Sequence, residues 1–214
     1  MSIDDYYDGH DEWLEGIYRD FAKETLAGDT DLYAEVVAKF KKERLQSYFL
    51  ENPKTAGRAM WALARARQFY PASPDACLAF AVTSAEVGLK MCFIRPILIG
   101  LVHDHAIAPV IADLLPQQRN GKFRLLLFTI LSQYGGVDLG SYKRETAMKT
   151  LWDELQDAHK ARNELLHNGT DVTPLSARQG LDVARTIMEI LFPTLLQSLG
   201  LKLSDDNQTV LRQL

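Results

Sequence analysis

Apolar residues recur throughout this chain at the three- and four-residue spacing of α-helices, and no segment alternates polar and apolar residues convincingly enough to indicate a strand. Helix breakers such as Asn52-Pro53 and Tyr70-Pro71 separate the periodic segments. Pro96 is expected to kink or interrupt one helix. The pattern predicts an all-α fold, with helices at about residues 11–27, 30–50, 54–69, 75–95, 119–134, 144–167 and 174–199, and another that ends near residue 115.

The break at residues 70–73 divides the predicted helices into two groups. Residues 1–72 contain three amphipathic helices and form a predicted N-terminal helical extension. Residues 73–200 contain about four longer and more apolar helices, which predict a four-helix bundle. The extension is expected to pack on the bundle, because its apolar stripes need a partner surface. Residues 201–214 form a C-terminal tail, of which residues 204–214 are predicted to be weakly ordered.

The charge of the chain limits what the bundle can attract. The formal net charge is -4, so there is no overall positive field to draw the protein to nucleic acid or to an anionic membrane. Binding to RNA would therefore need a local basic patch, or one created by assembly. Two groups of cations are candidates for such a patch, and the alternative is that both are solvated helix faces. The groups are Arg58, Arg65 and Arg67 in one helix, and Arg119, Lys122 and Arg124 in another.

The cysteines and the apolar stretches indicate a cellular setting. Cys77 and Cys92 both lie in apolar helical sequence, which favours buried reduced thiols over a disulfide. Residues 1–13 are acidic and contain no apolar run of the kind found in targeting peptides. The longest apolar stretch, residues 87–102, is interrupted by charged residues and by Pro96 and is too short to span a bilayer. We therefore expect a soluble cytoplasmic protein with no membrane partner.

An arginine lies within an apolar stripe of the penultimate helix. An arginine on a core-facing stripe is costly in free energy unless its charge is paired or faces a cleft. Alternatively, the stem of Arg162 packs on the core while the guanidinium reaches solvent. On a helical wheel, Arg162 lies at the centre of a stripe formed by Met148, Leu151, Leu155, Ala158, Leu165 and Leu166.

His167 lies near the end of the same helix. A regular helix would separate Arg162 and His167 by about 140°, but Asn168-Gly169 is a helix terminator that would let the last turn unwind. The two side chains could then converge on one small anion. Asn163 precedes His167 by one turn and could fix its imidazole with a hydrogen bond. Alternatively, His167 acts only as a cation at the negative end of the helix dipole.

A second charge lies on an apolar stripe, in the helix predicted at residues 75–95. Glu86 shares a face there with Val82 and Leu89. Two opposite charges on two apolar stripes predict an ion pair between Glu86 and Arg162, with bidentate geometry that would aim the guanidinium. An ordinary surface pair between Glu86 and Lys90, one turn later, is the alternative.

Other histidines are weaker candidates. His103-Asp104-His105 has two potential metal ligands but no clustered third ligand, so we predict neither a metal nor a cofactor. His103 could instead cap a helix or line the site. His159 is expected to be solvated, or alternatively to border the cleft beside Arg162.

Arg162, Asn163 and His167 together resemble the motif of the HEPN domain family. In that motif an arginine and a histidine are separated by four to six residues near the end of a helix, and a polar residue directly follows the arginine. The context is also similar, since the motif lies on the third of about four helices between residues 73 and 199. Residues 1–72 match nothing in the family pattern.

The resemblance implies a helical bundle that forms homodimers and brings two such motifs to one cleft. Active HEPN proteins are metal-independent endoribonucleases, often in toxin–antitoxin or antiviral defence systems with an antitoxin or regulatory partner. The expected products are a 2′,3′-cyclic phosphate and a 5′-hydroxyl. The resemblance implies His167 as acid/base, Arg162 as phosphate clamp and Asn163 as orienting group, with Glu86 in support. Histidine suits the acid/base role because its ordinary pKa is about 6.5.

Two other interpretations remain at this stage. A catalytically silent HEPN-like module would use the same bundle to bind a nucleotide or a partner protein. Alternatively, the motif is coincidental and the chain is a helical interaction protein, in which case Arg162 should point to solvent and Glu86 should lie far from it.

Overall fold

The computed structural model of the chain describes residues 30–101, 128–129, 131–132, 136–145, 147–204 and 209–212. These residues are mostly helical, so the prediction of an all-α fold is confirmed. The predicted helices at 11–27 and before 115, and most of the helix at 119–134, lie outside the described residues. The helices are α1 (Thr30–Glu51), α2 (Gly57–Phe69), α3 (Pro74–Gly88), α4 (Arg95–Leu101), α5 (Leu151–Asn168), α6 (Pro174–Arg185) and α7 (Phe192–Ser198).

Two π-helical segments join consecutive helices into longer continuous ones. Leu89–Ile94 links α3 to α4, and Thr186–Leu191 links α6 to α7. Each segment lies just before a proline, Pro96 or Pro193. A proline has no N–H and crowds the carbonyl four residues earlier, and a wider helical turn relieves that conflict. Of the two predicted effects of Pro96, an interruption is not observed, because the helix widens and continues; a kink stays a prediction.

Helix α5 begins at Leu151, seven residues later than the predicted start at Arg144. Thr150 is the N-cap, and its hydroxyl accepts a hydrogen bond from the backbone N–H of Asp153 at 3.2 Å. Arg144 instead lies in a non-helical segment, where its guanidinium binds both carboxylate oxygens of Glu154 at 2.6 and 2.9 Å. Met148 also precedes the helix and is 92% exposed, so it is not part of the apolar stripe.

A short β-hairpin follows α7, where the sequence indicates no strand and where residues 210–212 belong to the segment predicted to be weakly ordered. Strand β1 (Leu201–Leu203) pairs antiparallel with β2 (Val210–Arg212). The backbone N–H of Val210 donates to the carbonyl of Pro53 at 2.7 Å, which ties the hairpin to the loop after α1. Strands of three residues are too short to show recognisable alternation in the sequence.

The core is built around α3 and its continuation, which pack against α2, α5 and α6. Three fully buried rings from different parts of the chain meet there: Phe192 lies 5.8 Å from Phe49 and 5.9 Å from Phe93, centroid to centroid. Residues on both sides of position 72 belong to one cluster of buried side chains. The division of the chain into an extension, a bundle and a tail stays a prediction.

Two small residues show how closely the neighbouring helices approach α3. Ser84 is fully buried and donates its hydroxyl to the carbonyl of Ala59 on α2 at 2.8 Å. A Cβ atom added to Gly180 would lie 2.7 Å from Leu78 Cδ1, so α6 approaches α3 at a glycine. Cys77 and Cys92 are buried free thiols, as predicted. Burial raises the pKa of the Cys77 thiol to about 11, so this thiol stays protonated and unreactive at neutral pH.

The helical run from Pro74 to Ile99 is longer than the apolar stretch recognised in the sequence. By length and composition alone it could cross a membrane, and it is the one such helix among the described residues. In its most apolar 18-residue window, 61% of the window is buried inside the protein. A central core helix and a membrane span share this composition, and burial of this extent is typical of the core helix.

Candidate functional site

Helix α3 places Glu86 beside the middle of α5. Near the start of α3, Asp75 Oδ1 accepts a hydrogen bond from the N–H of Val172, which follows α5, at 2.9 Å. Farther along α3, Glu86 contacts His159 and Arg162. Leu78 and Val82 of α3 form a small buried cluster with Ala158 of α5.

The Glu86 carboxylate divides its two oxygens between two side chains of α5. Oε2 accepts a hydrogen bond from Arg162 Nη1 at 3.0 Å, and Oε1 lies 3.2 Å from His159 Nδ1. The predicted ion pair between Glu86 and Arg162 is therefore confirmed. The bidentate geometry is not, because the imidazole of His159 occupies the second oxygen.

Two of the three nitrogens of the Arg162 guanidinium are bound. Nη1 donates to Glu86, and Nη2 donates to Asn163 Oδ1 at 3.2 Å. Nε is buried and has no hydrogen-bond partner in the described part of the chain. The side chain is 21% exposed, so the arginine lies at the edge of the core with one of its three guanidinium nitrogens unbound among the described residues.

His159 is half-buried on the same side, and the site residues predicted from the sequence do not include it. Burial lowers the pKa of His159 below 6.5, Glu86 opposes this shift, and Arg162 adds to it. The ring is therefore neutral at neutral pH and carries one hydrogen. The contact with the Glu86 carboxylate assigns that hydrogen to Nδ1, which leaves a lone pair on Nε2. Nε2 is buried and has no hydrogen-bond partner among the residues that the structure describes.

The sequence contained a signal for His159. It precedes Arg162 by three residues, so the two side chains lie on one side of α5 in consecutive turns. Any carboxylate that reaches Arg162 from a neighbouring helix is then close enough to meet His159 as well. Interpreting His159 as a solvated histidine ignored this spacing.

His167 lies away from this cluster. Helix α5 stays regular through Asn168 and ends at Gly169, whose φ of 64° is left-handed. The N–H of Gly169 donates to the carbonyl of Leu165 at 3.0 Å, which closes the final turn. The prediction that this turn unwinds is wrong. His167 therefore remains about 140° around the helix from Arg162.

The last turn of α5 is largely open. His167 is exposed and makes no hydrogen bond or ion pair with the described residues, including Asn163. Leu166 is 63% exposed, so it does not belong to the buried stripe, while Leu165 is half-buried. Asn163 binds Arg162 and not His167.

The proposed basic patches are only partly described. Arg58 is exposed on α2. The guanidinium of Arg65 lies 5.7 Å from the ring centre of Trp61, a cation–π contact. Arg67 forms a salt bridge with Glu189 of the π-helical segment after α6. Residues 119–124 and the histidines at 103 and 105 lie outside the described residues, and within those residues no three His, Cys, Asp or Glu side chains cluster as potential metal ligands.

Comparison with known proteins identifies no matching family model, no matching curated protein and no matching solved structure. The resemblance to HEPN domains therefore stays a prediction. It depends on Arg162, Asn163 and His167 and on their helical context.

Proposed function

We propose that this protein is a cytoplasmic, metal-independent HEPN-type endoribonuclease that acts in a toxin–antitoxin or antiviral defence system. The observation that carries the proposal is the contrast within one motif. Arg162 is held by Glu86 and Asn163, and His167 is exposed at the helix end with no described partner. A positioned cation and a free imidazole are the two groups that RNA cleavage through the 2′-hydroxyl requires.

The proposed reaction uses each of these residues once. The 2′-hydroxyl loses its proton and bonds to the adjacent phosphorus, the bond from phosphorus to the 5′-oxygen breaks, and that oxygen takes up a proton. His167 accepts or delivers one of these protons. Arg162 stabilises the negative charge on the phosphate oxygens, with Asn163 and Glu86 orienting its guanidinium.

The proposal includes a homodimer. In one copy, about 140° of helix rotation separates Arg162 from His167. The exposed last turn of α5 leaves His167 accessible to a second copy, and a dimer would bring two motifs to one cleft. The proposed partners are thus RNA, a second copy of the chain, and an antitoxin or regulatory protein.

The deciding experiment is incubation of purified protein with mixed cellular RNA in EDTA. Four proteins are compared: wild type, His167→Ala, Arg162→Ala and the control Gln156→Ala, which changes an exposed residue of α5. We expect wild type and the control to cleave RNA and leave 2′,3′-cyclic phosphate ends. Both site variants should lose activity by at least about 100-fold, since an acid/base group contributes about this much and so does a positioned group that stabilises charge in the transition state.

Either of two results would overturn this assignment. If both site variants cleave RNA as well as wild type, the motif is not the active site. If wild type cleaves RNA only when a divalent metal is supplied, the proposed mechanism is wrong.

The engagement of Arg162 favours a second candidate, a silent HEPN-like module that binds a nucleotide or a protein. Glu86 and Asn163 already bind two guanidinium nitrogens, which suits a structural or recognition role. Expression in a bacterial host distinguishes the two. A nuclease arrests growth and its His167→Ala variant does not, whereas a silent module affects growth in neither form.

A further inference from the structure

We propose that His159 is a positioning residue that keeps Glu86 from binding Arg162 through both carboxylate oxygens, so that the guanidinium remains available to a phosphate group. The part of this proposal that concerns RNA rests on the function proposed above. The part that concerns the three side chains does not, and it can be tested without RNA.

The two oxygens of the Glu86 carboxylate contact different side chains. One oxygen accepts from Arg162 at 3.0 Å, and the other lies 3.2 Å from His159 Nδ1. Pairs between arginine and a carboxylate are strongest when both oxygens bind parallel N–H groups. A neutral imidazole whose Nδ1 lies against one oxygen hinders this arrangement while leaving the carboxylate its full negative charge.

The Arg162 guanidinium is only partly hydrogen-bonded. An arginine has five N–H hydrogens on three nitrogens, and Glu86 and Asn163 each accept from one terminal nitrogen of Arg162. Nε is buried with no described partner, so the hydrogens left for a phosphate are the second N–H of Nη1 and the second N–H of Nη2. The protein therefore orients the guanidinium and leaves one hydrogen of each terminal nitrogen unused.

His159 is placed beside both Glu86 and Arg162. Its side chain is 26% exposed and that of Glu86 35%, so the contact is partly protected from water. The imidazole is attached one turn before Arg162 on the same helix, which fixes its distance from the guanidinium. A histidine here can hold the carboxylate in place, and an apolar residue cannot.

Two substitutions of His159 test whether it positions Glu86. His159→Leu removes both ring nitrogens and should let Glu86 rotate onto Arg162 with both oxygens. His159→Asn keeps an amide N–H near the position of Nδ1 but places no acceptor at Nε2. Asparagine should therefore rescue a positioning role, and it should not rescue a role in which Nε2 accepts a proton.

The first measurement is the NMR signal of the Arg162 Nε–H group, assigned by its loss in Arg162→Lys. We expect this signal to shift in His159→Leu and to stay near its wild-type position in His159→Asn. Unfolding curves establish that each variant is folded. An unchanged signal in folded His159→Leu, or equal shifts in both variants, would overturn the proposal.

The second measurement is the affinity for a fluorescent 2′-O-methyl oligoribonucleotide, which cannot be cleaved through its 2′-oxygen. In His159→Leu, a second charge-assisted hydrogen bond between Glu86 and Arg162 should form and should weaken oligonucleotide binding by about tenfold. His159→Asn should stay within about twofold of wild type. On cleavable RNA, the Leu variant should raise KM with a smaller effect on kcat.

The two measurements separate this inference from the proposed function. If the Arg162 signal shifts as expected but wild type binds no RNA, the positioning role stands and the nuclease assignment fails. If RNA binds and His159→Asn is as defective as His159→Leu, His159 acts through Nε2 and the positioning role is overturned.

Discussion

The two ends of α5 differ more than their sequences suggest. In the first half, Leu151, Leu155 and Ala158 are buried against the bundle. In the last turn, Leu166 and His167 are exposed, although Leu166 is as apolar as the buried leucines. Arg162 lies between these regions and is attached to α3 through Glu86. Toward its C-terminal end, α5 is therefore held to α3 by a polar contact, the ion pair of Arg162 with Glu86, and no longer by buried apolar side chains.

That arrangement separates stability from function along one helix. The buried half fixes the position of α5 in the bundle. The exposed turn contributes little to folding, so its residues can change with little effect on the fold. The cluster of Glu86, His159 and Arg162 contributes to both, and substitutions there should show both effects.

The largest difference should appear between two leucines of α5. Leu155→Ala removes a buried side chain, 3% exposed, and should lower the free energy of unfolding by about 2–5 kcal/mol. Leu166→Ala removes one that is 63% exposed and should change it by no more than about 0.5 kcal/mol. Urea unfolding followed by circular dichroism measures both. Equal losses would mean that the last turn is buried in solution, for example in a dimer.

A smaller difference should separate the two charged positions. Glu86→Ala leaves Arg162 without its carboxylate and should cost about 1–2 kcal/mol, less than for a fully buried pair because Glu86 is 35% exposed. His167→Ala should cost less than about 0.5 kcal/mol. The double variant Glu86→Leu with Arg162→Met should recover part of the loss, because no charge is then left unpaired. If Glu86→Ala is as stable as wild type, the ion pair does not anchor α5.

The smallest effect concerns pH. The pKa of His159 is below 6.5 in the folded protein, mainly because burial disfavours the imidazolium, with Glu86 opposing and Arg162 reinforcing the shift. Between 6.5 and that lower pKa, the unfolded chain binds more protons, so stability falls as the pH falls through this interval. His159→Asn cannot titrate and should lose less stability than wild type between pH 7.5 and pH 5.5. Equal losses in urea unfolding would show that His159 does not contribute.

The sequence predicted the helical class, the two buried thiols and the pairing of Glu86 with Arg162. These features follow from periodicity and from the cost of an unpaired charge on an apolar stripe, which are properties of single helices. The positions of residues 11–27 and 103–124 stay predictions. So do the nuclease activity, the dimer and the antitoxin partner.

The features that the sequence did not predict depend on neighbours that a helical wheel does not contain. Arg144 belongs to a helix-compatible segment, yet its contacts with Glu154 and Asp182 hold it outside α5. The sequence of α5 alone favours a solvated His159, because the residue that contacts it, Glu86, belongs to α3. The hairpin after α7 forms on the loop at Pro53, which is distant in sequence.

The widened turns have a consequence for the site itself. Met188 lies in the second π-helical segment, and a Cβ atom added to Gly88 would overlap its sulfur. Gly88 ends α3 immediately before the first segment, so the Met188 side chain of one long helix packs into the space that the missing side chain leaves on the other. This contact resists sliding of the two helices along their axes. Glu86 is only two residues before Gly88, so the packing of Met188 against Gly88 also fixes where along α5 the Glu86 carboxylate makes its contacts.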